Sequence, residues 1–247
     1  MAYKQVQWTD EKVKKFWDYE SQFPEKYFTF TFSERIVSEV KEHIVDAKSV
    51  LDYGTGIGLL MNELLDQGFE VTGMDFSHES IAKVTAKHKG KSNFKGVLHI
   101  DEVLSVKKKY DVIFCIEMIE HINDHYLDIT FNNFKHLLSD NGKIIITTPN
   151  DEMLADNMIY CPECESVFHR WQHVKSWTTS SLEQTVFDHG LKKIDIFTTF
   201  FGAPIVETKS MTAQIAKLIR KFVLNRPAAA KHVSHTKPPH LVAIIRK

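Results

Sequence analysis

The chain has 247 residues, 43% hydrophobic and 26% charged, with a formal net charge of −1, enough for one sizeable core and one globular unit. A near-neutral overall field excludes nonspecific electrostatic capture by nucleic acid or an acidic membrane as the main mode of binding, and no stretch reaches the roughly 20 apolar residues of a membrane span. A polar amino terminus without an apolar leader core, and only three cysteines, exclude a disulfide framework and make a reducing cytoplasm the expected location.

Residues 1–48 carry Phe16, Trp17, Tyr27, Phe28 and Phe30 and read as a helical cap, its aromatics read first as packing. From Ser49 short apolar runs alternate with amphipathic stretches, the pattern of parallel strands joined by crossover helices in a doubly wound α/β unit. SVLDY (49–53) is the first strand, and a helix over 59–67 is stopped by Gly68. FEVTGMDF (69–76) is the second strand. Ser77 caps a helix running towards His88, and FKGVLHI (94–100) is the third strand. YDVIFCI (110–116), apolar almost throughout, is a central strand covered on both faces. A helix from about Asp124 to Leu138, ending at Asn141-Gly142, leads to a fifth strand, KIIITT (143–148), halted by Pro149. Residues 150–178 have no clear period and read as an insertion. A helix over 180–189 and strands over 191–200 and 240–247 complete a seven-stranded sheet. Residues 208–239 contain no acid, and 211–224 form an amphipathic basic helix suited to core packing or to peripheral membrane contact. The expected organisation is a cap over 1–48 and an α/β domain over 49–247 carrying insertions at 150–178 and 208–239.

Two features at the strand ends point to a nucleoside-bearing ligand. Asp52-Tyr-Gly54-Thr-Gly56-Ile-Gly58 permits a tight turn that lets a ligand approach the main chain, and Asp75 closes the second strand, where a carboxylate can accept hydrogen bonds from both hydroxyls of a ribose. A glycine-rich turn alone could be a turn and nothing more. A dinucleotide-binding dehydrogenase would show G-x-G-x-x-G, whereas the spacing here is G-x-G-x-G.

VLDYGTGIG, GMDFS, YDVIFCIEMIEHI and GKIIITTPN resemble the successive motifs of class I S-adenosylmethionine-dependent methyltransferases over roughly Ser49–Asn150. The resemblance implies a Rossmann-like sheet. It places Asp52, Gly54, Gly56 and Gly58 along the methionine part of the cofactor, Asp75 on its ribose and Asp101 near its adenine; Ile116, closing the fourth strand, joins the cofactor-binding set.

Directly after the fourth strand stands Glu117-Met-Ile-Glu120-His121. If this begins a helix, positions 117, 120 and 121 share one face, and two carboxylates with an imidazole could bind one divalent cation; the plainer reading is a capping acid and a loop-orienting histidine. E-x-x-E-H resembles the motif of metal-dependent O-methyltransferases of the ubiquinone pathway and of small-RNA 2'-O-methyltransferases. The resemblance of His173-Val-Lys-Ser-Trp177 to the H-x-x-x-W of the RNA-modifying group implies His173 as a further ligand. Magnesium or manganese there would chelate two neighbouring substrate oxygens and acidify the attacking hydroxyl. His121 or His173 acting as a metal-free general base is the alternative.

Cys161, Cys164, His169 and His173 follow C-x2-C-x4-H-x3-H, a spacing near that of small zinc knuckles. His173 cannot readily serve this cluster and the Glu117 centre together, so Cys161, Cys164 and His169 are the expected zinc ligands, beside two thiols in a turn as the bland reading. The leading expectation is O-methylation of a glycan, sugar-phosphate or related small acceptor. RNA 2'-O-methylation would require a basic groove, and a non-catalytic adaptor docking through 211–224 is a third possibility.

Overall fold

The computed structural model describes residues 3–202 and 238–247. The expected basic insertion over 208–239 lies, except for its last two residues, outside the described residues, and with it the helix over 211–224. In chain order the elements are β1 (Lys4–Gln5), α1 (Asp10–Glu20), α2 (Phe28–Glu39), α3 (Lys41–Ile44), β2 (Ser49–Tyr53), α4 (Leu59–Asp66), β3 (Glu70–Asp75), α5 (His78–His88), β4 (Phe94–His99), β5 (Tyr110–Ile116), α6 (Asp124–Leu137), β6 (Leu138–Pro149), β7 (Met158–Cys161), β8 (Ser166–His169), α7 (Thr179–Asp188), β9 (Lys192–Thr199) and β10 (His240–Arg246).

Seven strands form one sheet in the order β4-β3-β2-β5-β6-β10-β9. It is parallel up to β6, and β10 runs antiparallel to both of its neighbours. Strand β5 shows why two layers of helix are needed. Its Val112, Phe114 and Ile116 join the core beneath α2, α4 and α5, whereas Ile113 and Cys115 join the core beneath α6 and α7. A strand has a side-chain period of two, so a run apolar at every position presents a hydrophobic row to each face, and each row requires its own cover. The helices answer with matching stripes: Leu60, Met61 and Leu64 of α4 on one side, Leu127, Phe131 and Phe134 of α6 on the other. The starts of α5, α6 and α7 are capped by side-chain oxygens, Ser77 accepting from Ser80 N (3.2 Å), Asn123 from Tyr126 N (3.1 Å) and Thr178 from Ser181 N (3.1 Å), which satisfies backbone donors that have no partner within the helix.

The structure corrects one boundary. Helix α6 stops at Leu137 and Asn141-Gly142 lies inside β6, where the register with β5 shifts between the Tyr110–Leu138 and Val112–Lys143 pairs. The turn-forming dipeptide is taken up as a sheet irregularity instead of ending the helix.

Residues 150–178 hold the hairpin β7–β8, whose second strand pairs in parallel with β1 to make a separate three-stranded sheet. The segment before the main sheet is thereby fastened to the insertion after β6. Among the described residues, no helix is long and apolar enough to cross a membrane.

Candidate active site

The loops after β2, β3, β5 and β6 meet at the carboxyl edge of the sheet, where open α/β sheets take their ligands. After β2 the chain turns through Gly54 (φ 78°), Gly56 (φ 52°) and Gly58 (φ 71°). All three sit in the left-handed region, which costs glycine little. At Gly58 a Cβ would also approach Val84 Cγ2 to 3.1 Å, so the third glycine seats α4 against α5. Asp75 holds the loop from the neighbouring strand: its Oδ2 accepts from Gly56 N (2.7 Å) and its Oδ1 from Ser77 N (2.9 Å). Asp52 is buried and accepts from Thr55 Oγ1 at 2.7 Å. Burial, with Asp75 adding and the Thr55 hydrogen bond opposing, pushes the Asp52 carboxyl up to about 7. Tyr27 stands beside the loop, its ring edge within 3.9 Å of a Cβ built on Gly56. Burial and then the Asp75 charge push its hydroxyl above the ordinary phenol range.

The second half of the site follows β5. Residues 117–121 form a turn rather than the helix start expected of them, with Glu117 at φ 47° and His121 N donating to Met118 O. The left-handed conformation is uncommon for a residue with a side chain and stores local strain. Glu117 Oε1 accepts from Thr147 Oγ1 (2.8 Å), and its Oε2 lies 3.8 Å from His240 Nδ1. Glu120 is buried; Oε2 accepts from Thr148 Oγ1 (2.9 Å), while Oε1 is buried with no hydrogen-bond partner among the described residues and lies 3.7 Å from His121 Nε2. Burial, then the Glu117 charge, drives the Glu120 carboxyl well above the carboxylate range. His121 is pulled down to about 3 by burial and by the neighbouring His173. Donor atoms of Glu120, His121 and His173 all lie within 4.8 Å of one another.

This arrangement fits a small divalent cation. Donors on opposite sides of one such ion stand about 4.2 Å apart, and among the described residues the buried Glu120 Oε1 has no hydrogen-bond partner, a costly condition that a cation would relieve.

An aromatic wall closes this half. Trp17 Nε1 donates to Gln172 Oε1 (3.0 Å), Gln172 Nε2 donates to His121 O (2.9 Å), and the Trp17 and His121 rings meet edge to face at 4.9 Å. Phe28, Phe201 and His240 cluster beside Glu117, with the Phe28 and His240 rings 4.4 Å apart and the Phe201 ring 5.5 Å from His240.

A family model described as a methyltransferase domain matches residues 20–196. The chain belongs to the methyltransferase-domain family. A ubiquinone biosynthesis O-methyltransferase from Rickettsia canadensis is 34% identical over 122 residues, 47% of this chain and 50% of that protein. One from Pelagibacter ubique is 39% identical over 103 residues, covering 41% and 42%. The chain thus spans about half the length of the curated relatives it matches. A crystal structure of an S-adenosylmethionine-dependent methyltransferase from Clostridium acetobutylicum superposes with a TM-score of 0.60 at 14% identity, over 94% of this chain and 97% of that one, a likeness of fold. The chain thus carries a methyltransferase domain whose fold is that of a solved S-adenosylmethionine-dependent methyltransferase.

In this methyltransferase the expected cofactor residues Asp52, Gly54, Gly56, Gly58 and Asp75 share one rim, and Ile116 ends the strand beside it. Asp101 is 86% exposed in a short turn of helix, 3.4 Å from His99 Nδ1, while His99 stacks on His78 at 4.4 Å. Glu120, His121 and His173 converge, with Glu117 turned towards Thr147 and His240. The expected zinc set is not brought together. Cys161 and Cys164 flank the hairpin turn, whereas His169 pairs with Met158 at the far end, three residues or about 10 Å along the strand, and its Nε2 faces Glu152 at 3.2 Å. Among the described residues neither cysteine belongs to a group of three or more His, Cys, Asp or Glu donors placed to hold a metal. Gln172, Glu152 and Thr148 were missed in the sequence. A polar Thr147-Thr148 pair ending an otherwise apolar strand was the available signal for the last.

The burial of Asp52 leads to a testable consequence. The ammonium of a methionine moiety beside it would require the ionised carboxylate, so S-adenosylhomocysteine affinity should fall as pH drops below 7, by at most about tenfold per unit. Calorimetry at pH 8 and pH 6 on the wild type and Asp52→Asn should show a drop that the variant flattens. A level wild-type profile would mean that Asp52 does not meet that charge.

Proposed function

We propose that this methyltransferase domain moves the methyl group of S-adenosylmethionine to a hydroxyl oxygen of a small acceptor bearing two adjacent oxygens, assisted by a magnesium or manganese ion held by Glu120, His121 and His173, with Glu117 turned to Thr147 and His240 beside it. The observation that carries the proposal is the partnerless, buried Glu120 Oε1 facing His121 and His173. The name of the half-length relatives, ubiquinone biosynthesis O-methyltransferases, supports oxygen as the methylated atom. The expected glycan or sugar-phosphate is one acceptor with adjacent oxygens; the wall of Trp17, Phe28 and Phe201 favours a flat ring with an apolar face.

In the transfer the acceptor O–C bond forms as the sulfonium C–S bond breaks, giving a methyl ether and S-adenosylhomocysteine, while the hydroxyl proton passes to solvent. Bound at the carboxylate–histidine centre, the cation would acidify that hydroxyl and anchor its neighbouring oxygen. His121, held near pKa 3, is too weak a base to take the proton itself, which disfavours the metal-free reading for that residue. Asp75 and the glycine loop hold the donor. The Trp17–Gln172–His121 chain of hydrogen bonds fixes the floor against which the acceptor lies.

The test is a methylation assay across sugar, sugar-phosphate, catechol and RNA acceptors, with and without chelator. Methylation of acceptors with adjacent hydroxyls should fall at least about a hundredfold on chelation and return with magnesium or manganese. Turnover indifferent to chelator would select the general-base reading, and methylation confined to RNA would select the 2'-O-methyltransferase reading.

A further inference from the structure

Behind the proposed cation centre lies a second layer of ionisable groups. Glu152, from the loop after β6, sits between two histidines that follow or end β8: its Oε2 is 2.5 Å from His173 Nδ1 and its Oε1 3.2 Å from His169 Nε2, and Oε1 also accepts from Asn157 Nδ2 at 3.2 Å. The two imidazoles stack at 4.4 Å and 20°, and the His121 ring meets that of His173 edge to face at 4.8 Å and 65°. Packing therefore confines the His173 ring.

The proton positions follow from the donors. His169 Nδ1 accepts from the backbone N–H groups of Trp171 (3.3 Å) and His173 (3.2 Å), so the ring carries its proton on Nε2, the nitrogen 3.2 Å from Glu152 Oε1. An imidazole in that tautomer has no lone pair left for a cation on the Glu152 side. A second cation between Glu152, His169 and His173 would also need His173 to give one nitrogen to each of two ions, which demands a doubly deprotonated ring. The cluster is thus unsuited to a second ion and suited to supporting the first.

We infer that Glu152 is a positioning residue of the cation centre: by accepting a hydrogen bond from Nδ1–H of His173 while lying against His169, it fixes the His173 ring so that Nε2 is the nitrogen turned to Glu120 and His121. The inference rests on the cation reading of the previous section. A carboxylate on the far nitrogen of a ligating histidine sets its tautomer, holds its orientation and raises its basicity, and losing such a partner weakens metal binding by about 10–100-fold.

Manganese binding to the full chain, followed by the electron paramagnetic resonance signal of the free ion, provides the test, with S-adenosylhomocysteine calorimetry alongside. The wild type should bind one manganese ion, Glu120→Ala should lose it, and Glu152→Gln should bind it about 10–100-fold more weakly with S-adenosylhomocysteine affinity unchanged. Glu152→Asp should recover part of the deficit, because it restores the charge. Manganese affinity in Glu152→Gln equal to wild type overturns the inference while leaving the cation centre standing; no manganese bound by the wild type overturns both. If Glu152→Gln loses both ligands through misfolding, His169→Gln decides, since it removes only one arm of the bridge. A selective manganese deficit there supports the inference, and wild-type affinity overturns it.

Discussion

Glu120→Gln should cut turnover at least about a thousandfold and at the same time raise the stability of the folded chain. The two effects have one cause. Glu120 is buried, one of its oxygens has a threonine donor, and the other has no hydrogen-bond partner among the described residues. Burial and then the Glu117 charge, with Glu152 adding further, oppose ionisation there. An amide of the same shape keeps an oxygen for Thr148 and removes the charge that burial opposes. It also removes the anionic ligand that the cation requires. Urea unfolding and a methylation assay on the same preparation read both quantities. A variant that loses stability along with activity would show Glu120 to be an ordinary structural acid, and a more stable variant with full activity would remove the cation from the mechanism.

Asp75→Ala should weaken S-adenosylhomocysteine binding at least about a hundredfold, measured by calorimetry. Its two oxygens already orient the loop through Gly56 N and the start of α5 through Ser77 N. Burial raises the carboxyl, against which these backbone donors act. A ribose diol would add two hydrogen bonds to a charged acceptor, each worth about 1.5–3 kcal/mol, and the alanine variant forfeits them while freeing the loop that aims Gly56. Wild-type affinity in the variant would mean that the ribose is held elsewhere.

The main sheet was legible because its signals are local and repeated. Strand β5 is apolar at every position but Asp111, Gly68 stops α4 and Ser77 caps α5, so each element could be read within a window of a dozen residues. The candidate site was legible only where its residues stand on those elements: the glycine loop, Asp75 and E-x-x-E-H are strand-end motifs. Gln172 and Glu152 are not. They act through loops whose course is set by the pairing of β1 with β8, and a strand of two residues has no period to detect. The described residues do not bring the zinc spacing together either. Counted along the chain, Cys161, Cys164 and His169 are neighbours, but folding residues 158–169 into a hairpin sends the turn and the strand ends in opposite directions.

The pairing of β1 with β8 also separates two jobs in the molecule. The donor side is built from loops anchored in the main sheet, among residues whose exposure would require the whole core to open. The acceptor side depends on Trp17 reaching Gln172 across 155 positions of sequence and on a three-stranded sheet outside that core. Loop closure over such a separation is entropically costly, and the Trp17–Gln172 hydrogen bond with the Trp8–Phe168 and Trp17–His121 ring contacts offsets it. On the proposed reading, substitutions in that wall should change which acceptor is methylated more than how the methyl donor is bound.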